Sequence, residues 1–253
     1  MSIDKTALVE FLGKGVELFK TSIPTITGAI LATIFLRKNT STTEFEKIKN
    51  GFFQEATEEL LSNGKITYYE LYKCKNFLKI AKLADEYHNK QAKVSTSINS
   101  EAKVDFDWFI NFYESAGRIG NEEMQKYWAK LLVNAVNDVQ IQKKIYIDIL
   151  ENLSHIEAII IEKIYSIPFD ELQHKTLLTY NLPNNIEIKD DKNFDKSPDL
   201  NNAEIKLALI NLSRIGCISF VKSYGGGEFY SDIHATLLGK WFNEACTIKE
   251  NPT

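Results

Sequence analysis

The sixteen residues Asn121-Glu-Glu-Met-Gln-Lys-Tyr-Trp-Ala-Lys-Leu-Leu-Val-Asn-Ala-Val136 carry the most regular helical period in the chain. Met124, Tyr127, Trp128, Leu131, Leu132 and Ala135 recur at i, i+3, i+4 and i+7, which gathers a thioether, two large aromatic rings and two leucines on one side of a helix. Glu122, Gln125, Lys126 and Asn134 are expected on the other side. Asn121 suits the N-cap, Glu122 and Glu123 the positive end of the helix dipole, and Glu122 is spaced to pair with Lys126. Such an element must be covered by others, so the chain around it is expected to be a packed helical protein.

The neighbouring sequence supplies the partners. Asp105 is placed to cap an aromatic helix containing Phe106, Trp108, Phe109, Phe112 and Tyr113 that ends near Gly117. Arg118-Ile-Gly120 is short enough to turn it back onto the Asn121 helix as a helical hairpin. A helix over 142–153 follows, and Ser154-His-Ile-Glu157 is a capping box opening a run that Pro168 closes. The region 105–168 therefore reads as a four-helix bundle.

Upstream, Thr43-Glu-Phe-Glu46 and Thr67-Tyr-Tyr-Glu70 are two more capping boxes, announcing a helical pair over 41–94. Lys73, Lys75, Lys79 and Lys82 lie on the outer face of the second helix and read as a solvated surface, since no arginine accompanies them. The polar stretch 92–103 reads as a linker. Downstream, 182–200 is rich in Asn, Asp, Lys and Pro and reads as an exposed loop. Asn201 or Asn202 then starts a helix ended by Gly216. Strand-like runs 217–224 and 228–233 flank Gly225-Gly-Gly227, and a last helix covers about 236–245. The expected fold is mainly α, a helical bundle followed by a winged-helix-like module (169–253) with one short β-hairpin.

The N-terminus, 1–40, reads as an apolar hairpin. Between Lys20 and Arg37 lie sixteen uncharged residues, among them Ile26, Ile30, Leu31, Ile34, Phe35 and Leu36. A bilayer-spanning helix needs about 20 apolar residues, and this run is shorter and broken by Pro24. It is expected to self-associate, with a membrane-inserting role as the alternative.

Charge and chemistry exclude more than they suggest. A net charge of −4 gives no overall attraction to nucleic acid, and residues 201–249 hold five basic against four acidic side chains, so DNA is not expected as a partner. Ile210 also sits where a recognition helix should be polar. Cys74, Cys217 and Cys246 lack metal-type spacing and read as free thiols of a reducing, cytoplasmic compartment. His88, His155, His174 and His234 are scattered. Gly225-Gly-Gly227 lacks the Lys-Ser/Thr of a phosphate loop. The acidic pairs Asp105 with Asp107 and Asp190 with Asp191 read as a helix cap and a polar loop. No enzyme activity, metal or cofactor is expected.

A family resemblance rests on three stretches. Glu122-Glu-Met-Gln-x-x-Trp-Ala-Lys-x-Leu132 within Trp108–Ile164, Ile149-Leu-x-x-Leu-Ser-x-x-Glu-Ala158, and Leu209-x-x-Leu-x-x-x-Gly216 followed by Ala235-Thr-Leu-Leu-Gly239 with Phe242 and Cys246 resemble the abortive-infection alpha family of bacteria. The resemblance implies a setting in defence against bacteriophage and carries no catalytic motif. Trp108, Met124, Tyr127, Trp128, Leu131 and Leu132 are expected to be structural. The function expected is that of an interaction or regulatory protein acting as a homo-oligomer with a protein partner. A DNA-binding winged-helix regulator and a membrane-active effector using residues 21–36 are the alternatives.

Overall fold

The computed structural model describes residues 67–92, 104–189 and 198–248. The N-terminal residues 21–36 and the capping box at Thr43 lie outside them, as do 93–103 and Asp190 with Asp191. Among the described residues, those up to Lys82 together with Ala116–Gly120 form one compact unit, and Leu83–Ser115 with Asn121 onward form a second.

Helix α1 (Tyr68–Ala92) starts at the second capping box: Thr67 N donates to Glu70 Oε2 at 2.6 Å and Glu70 N to Thr67 Oγ1 at 3.2 Å. Each group thus satisfies a backbone donor that the first helical turn leaves unpaired. Leu71, Asn76, Phe77 and Ile80 are buried, while Leu78 and Tyr87 are half-buried. Within the first unit, Asn76 Nδ2 donates to Gly117 O at 3.0 Å and so fixes the turn after the next helix.

Four helices follow, in the second unit except for Ala116: α2 (Phe106–Ala116), α3 (Glu122–Asn137), α4 (Lys144–Glu151) and α5 (His155–Ile164), with a 3-10 turn at Val139–Ile141. Asp105 Oδ1 accepts from Trp108 N at 2.7 Å and Asn121 Oδ1 from Met124 N at 2.9 Å. Ser154 N donates to Glu157 Oε2 at 2.5 Å in the third capping box. Gln142 joins two helices, its Nε2 donating to Ala135 O and its Oε1 accepting from Asp105 N. Phe112 lies between two tryptophans, stacked on Trp108 at 5.1 Å and edge-on to Trp128 at 5.3 Å.

Helix α3 is more deeply enclosed than its apolar period implies. Gln125, expected on the outer face, is buried with 1% exposure, and Ala129 and Val133 are buried beside it. The period marks the most apolar stripe, but burial extends over the small residues on its flank, so Glu122, Glu123, Lys126, Lys130 and Asn134 keep the outer side, with Val136 and Asn137 at the end of the helix. Lys126 pairs with Glu123 at 2.7 Å, the i, i+3 spacing being as short as i, i+4 on a helix surface.

The C-terminal part holds α6 (Phe169–Leu172), β1 (Leu177–Leu178), β2 (Glu187–Ile188), α7 (Ala203–Arg214), β3 (Ile218–Lys222), β4 (Glu228–Ala235) and α8 (Leu237–Ala245). The expectation of a single hairpin needs correction. β3 and β4 do pair, but the sheet has four antiparallel strands in the order β2-β1-β4-β3, with Leu177 opposite both Ile188 and Ile233. Nor is 182–200 simply an exposed loop. Leu182, Ile186 and Leu200 are buried, Lys189 N donates to Thr176 O at 2.8 Å, and Lys189 Nζ pairs with the buried Asp232 at 3.0 Å. Two-residue strands are too short to show alternation, and their place is set by these distant anchors rather than by local pattern.

Among the described residues the protein is mainly helical, with this small sheet, and no helix is long and apolar enough to cross a membrane.

Candidate functional site

The sequence of α7 dictates two faces. Ile205, Ala208, Leu209 and Leu212 are buried, which leaves Ala203, Leu207, Ile210 and Arg214 on the opposite side. Leu207 is 68% exposed and Ile210 42%. Two neighbouring aliphatic side chains therefore project outward at i and i+3 from the helix that immediately precedes the hairpin.

Both ends of α7 are held. Asn202 Oδ1 accepts from Glu204 N at 2.9 Å and Ile205 N at 3.2 Å. At the other end Asn211 Nδ2 donates to Asn152 O and to Glu157 Oε1, each at 2.7 Å. Arg214 donates through Nε and Nη2 to Asn211 Oδ1 and through Nη2 to Asn152 Oδ1. This network ties α7 to the α4–α5 junction through Glu157, which is buried and also caps α5. Gly216, at φ +80, then turns the chain into β3, a conformation glycine adopts without strain. The aliphatic pair thus stands on a fixed support.

A second outward pair, Leu237 at 45% and Trp241 at 48% exposure, occupies one face of α8 at i and i+4. The hairpin tip is closed by its own bonds: Ser223 N donates to Gly227 O, and Gly227 N to Ser223 Oγ. The three glycines serve a tight turn, with Gly226 at φ +83.

Trp108, Met124, Tyr127, Trp128, Leu131 and Leu132 are all buried, with Trp128 and Leu131 fully enclosed. The indole N–H groups of Trp108 and Trp128 are buried without a hydrogen-bond acceptor. Ile26, Ile30, Leu31, Ile34, Phe35 and Leu36 lie outside the described residues. Cys217 and Cys246 are buried free thiols; burial pushes the Cys217 thiol up to about 12 and Cys246 well above its usual range, so both stay protonated and unreactive. His234 Nδ1 lies 2.9 Å from Lys175 O, and Asp105 is engaged as a cap. Among the described residues no group of three or more His, Cys, Asp or Glu side chains is placed to hold a metal ion.

Leu207 escaped the sequence reading, which singled out Ile210 alone. The available signal was their i, i+3 spacing on the side opposite Ile205, Leu209 and Leu212.

The family comparison spans this whole assembly of bundle, α7, sheet and α8. The model of the family described as abortive infection alpha matches residues 79–246, which is 168 of the 253 residues. No curated protein and no solved structure matches the chain. On a match of that extent, the chain belongs to the abortive infection alpha family.

Proposed function

We propose that this protein is a non-enzymatic interaction protein of a bacterial phage-defence system, engaging a protein partner through the outward face of α7. The observation that carries the reading is the exposed pair Leu207 and Ile210 on a helix whose two ends are fixed. The order α7, β3, β4 and α8, with β1 beside β4, supports a winged-helix-like reading, in which α7 would take the place of a recognition helix. A DNA-reading helix presents basic and amide side chains to phosphates and base edges. Leu207 and Ile210 instead suit a protein surface that covers apolar area. Self-association belongs to the same reading. Residues 26–36 form an apolar run costly to leave in water at about 25 cal/mol per Å², and a second copy of the chain would cover it.

The test is phage protection in cells carrying Leu207→Asp or Ile210→Asp, with the melting temperature of each purified variant measured alongside. Loss of protection at unchanged melting temperature is the expected result; full protection by both variants would overturn the reading. Light scattering of Ile30→Asp and Ile34→Asp addresses the self-association separately, the expected outcome being a smaller mass than the parent protein. Salt-resistant recovery of the parent protein with membranes would replace the oligomer by a membrane-active form.

A further inference from the structure

Helix α1 carries a different outward surface, within the unit formed by residues up to Lys82 and Ala116–Gly120. Tyr68, Tyr72, Lys75, Lys79 and Lys82 follow one another at steps of four, three, four and three residues. That spacing places them in a single stripe along the helix, rising over about 21 Å at 1.5 Å per residue. All five side chains are exposed, Tyr68 at 82% and Tyr72 at 45%, while Leu71, Phe77 and Ile80 are buried.

The arginine missing from this helix comes from elsewhere in the same unit. Asn76 Nδ2 donates to Gly117 O at 3.0 Å, and the Tyr72 hydroxyl lies so near Gly120 that a Cβ there would be 2.6 Å from it. These two contacts set the turn 117–120 along one edge of the stripe, and Arg118 in that turn is exposed. The charge of the chain is divided in the same sense. Among the described residues of this unit, 67–82 and 116–120, there are five basic side chains and one acidic, whereas the chain as a whole has 30 basic and 34 acidic. The stripe thus lies in the basic unit of an acidic protein.

We infer that this face binds a single-stranded nucleic acid, with the lysines and Arg118 on backbone phosphates and the two tyrosine rings stacked on unpaired bases. Cationic side chains alone would describe a solvated helix. Two exposed rings in line with three lysines add a stacking platform, which is the combination that unpaired strands use. A duplex keeps its base faces stacked and has nothing to offer the rings. An anionic membrane would need an apolar face to insert, and the apolar residues Leu71, Phe77 and Ile80 of α1 are already buried in protein.

The experiment is fluorescence anisotropy of the full-length protein with a labelled oligouridylate of about 20 nucleotides, a matching duplex, and phosphatidylserine vesicles as competitor. The expected result is binding to the single strand at about 50 mM salt, weakening with a log–log slope of about −0.7 per phosphate engaged. Tyr68→Ala and Tyr72→Ala should each weaken it by about 5- to 150-fold, the range that loss of one stacked base implies. Lys75→Glu with Lys79→Glu and Lys82→Glu should abolish it. Tyr68 is the decisive position because so exposed a ring can be removed without loss of the fold, which its circular-dichroism melt checks. The proposal is overturned by absence of single-strand binding at that salt, by unchanged affinity in Tyr68→Ala, by equal binding of the duplex, or by vesicles displacing the strand at equal charge.

Discussion

The hydroxyl of Tyr165 occupies the place that a side chain on residue 239 would take. A Cβ built on Gly239 would overlap both that hydroxyl and Cys217 O, and would lie 2.7 Å from the ring carbon bearing the hydroxyl. The hydroxyl is within reach of Cys217 O at 2.7 Å and Thr236 O at 2.9 Å, and accepts from Thr236 N at 3.0 Å. Tyr165 thereby joins the end of α5 to the start of β3 and the N-cap of α8. Gly239→Ala would improve intrinsic helix propensity by up to about 1 kcal/mol. Overpacking against backbone and a bonded hydroxyl costs about 1–3 kcal/mol or more, so the clash should win. The urea midpoint is expected to fall.

Tyr165→Phe leaves Thr236 N without this acceptor and is expected to cost about 1–3 kcal/mol. Because the removed oxygen is also the atom nearest the Gly239 Cβ position, the two substitutions should be coupled. The double variant should lose less stability than the separate losses added together, as a double-mutant cycle in urea would read.

Stability should decline in alkali. Burial pushes Cys217 up to about 12 from its ordinary 9 and Tyr165 up to about 12 from 10, and raises Tyr127 and Cys246 as well. In each case the folded state holds its proton more tightly than the unfolded chain. The contribution is therefore fully present below the unfolded pKa and is lost as pH rises through the interval from about 9 to 12, at up to about 1.4 kcal/mol per pH unit for each group. Denaturation midpoints from pH 8 to 11 should fall, and Cys217→Ala should flatten the curve from about pH 9 upward.

What was legible in the sequence was what local chemistry alone determines. Capping boxes at Thr67 and Ser154, the caps Asp105 and Asn121, and the left-handed Gly216 each act within a few residues, and each is found where the sequence put it. The two short strands were not legible because Leu177 is located by Ile233 and Lys189 by Asp232, partners more than forty residues away. Gln125 was misread for a related reason: polarity predicts its preference, whereas its neighbours Ala129 and Val133 fix its surroundings. On the candidate surfaces the sequence showed Ile210 and the α1 lysines, but not that Leu207 shares the exposed side or that a turn beside Tyr72 contributes Arg118.

Trp128 is the largest fully enclosed side chain, and its ring meets Phe112 edge-on. Trp128→Ala should cost about 3–5 kcal/mol through lost burial and the cavity left behind. Trp128→Phe retains part of the aromatic volume and removes the unbonded indole N–H, so it should cost distinctly less. Equal urea midpoints for the two variants would count against that enclosure.

Glu157 offers the most direct test of how α7 is held. One carboxylate oxygen accepts from Ser154 N at 2.5 Å and the other from Asn211 Nδ2 at 2.7 Å, and the side chain is buried. Glu157→Gln keeps the shape but turns one of these acceptors into an amide that faces a donor. Whichever way the amide is oriented, one hydrogen bond is replaced by two donors in contact, at an expected cost of about 1–3 kcal/mol. Asn211→Ala should cost a similar amount, since it removes the bonds to Glu157 and Asn152 O together and leaves Arg214 with Asn152 Oδ1 alone of its two Oδ1 acceptors. Once Asn211 is gone, the amide of Glu157→Gln can turn its oxygen to Ser154 N without pressing its –NH2 on the Asn211 donor, so the double variant should be less destabilised than the two single losses added. Hydrogen exchange should report the change locally, with faster exchange at the amides of Ile215 and Gly216 while those in the middle of α3 remain protected. Additive losses, or exchange that quickens equally in α3, would show that Glu157 and Asn211 do not act as one clamp on α7.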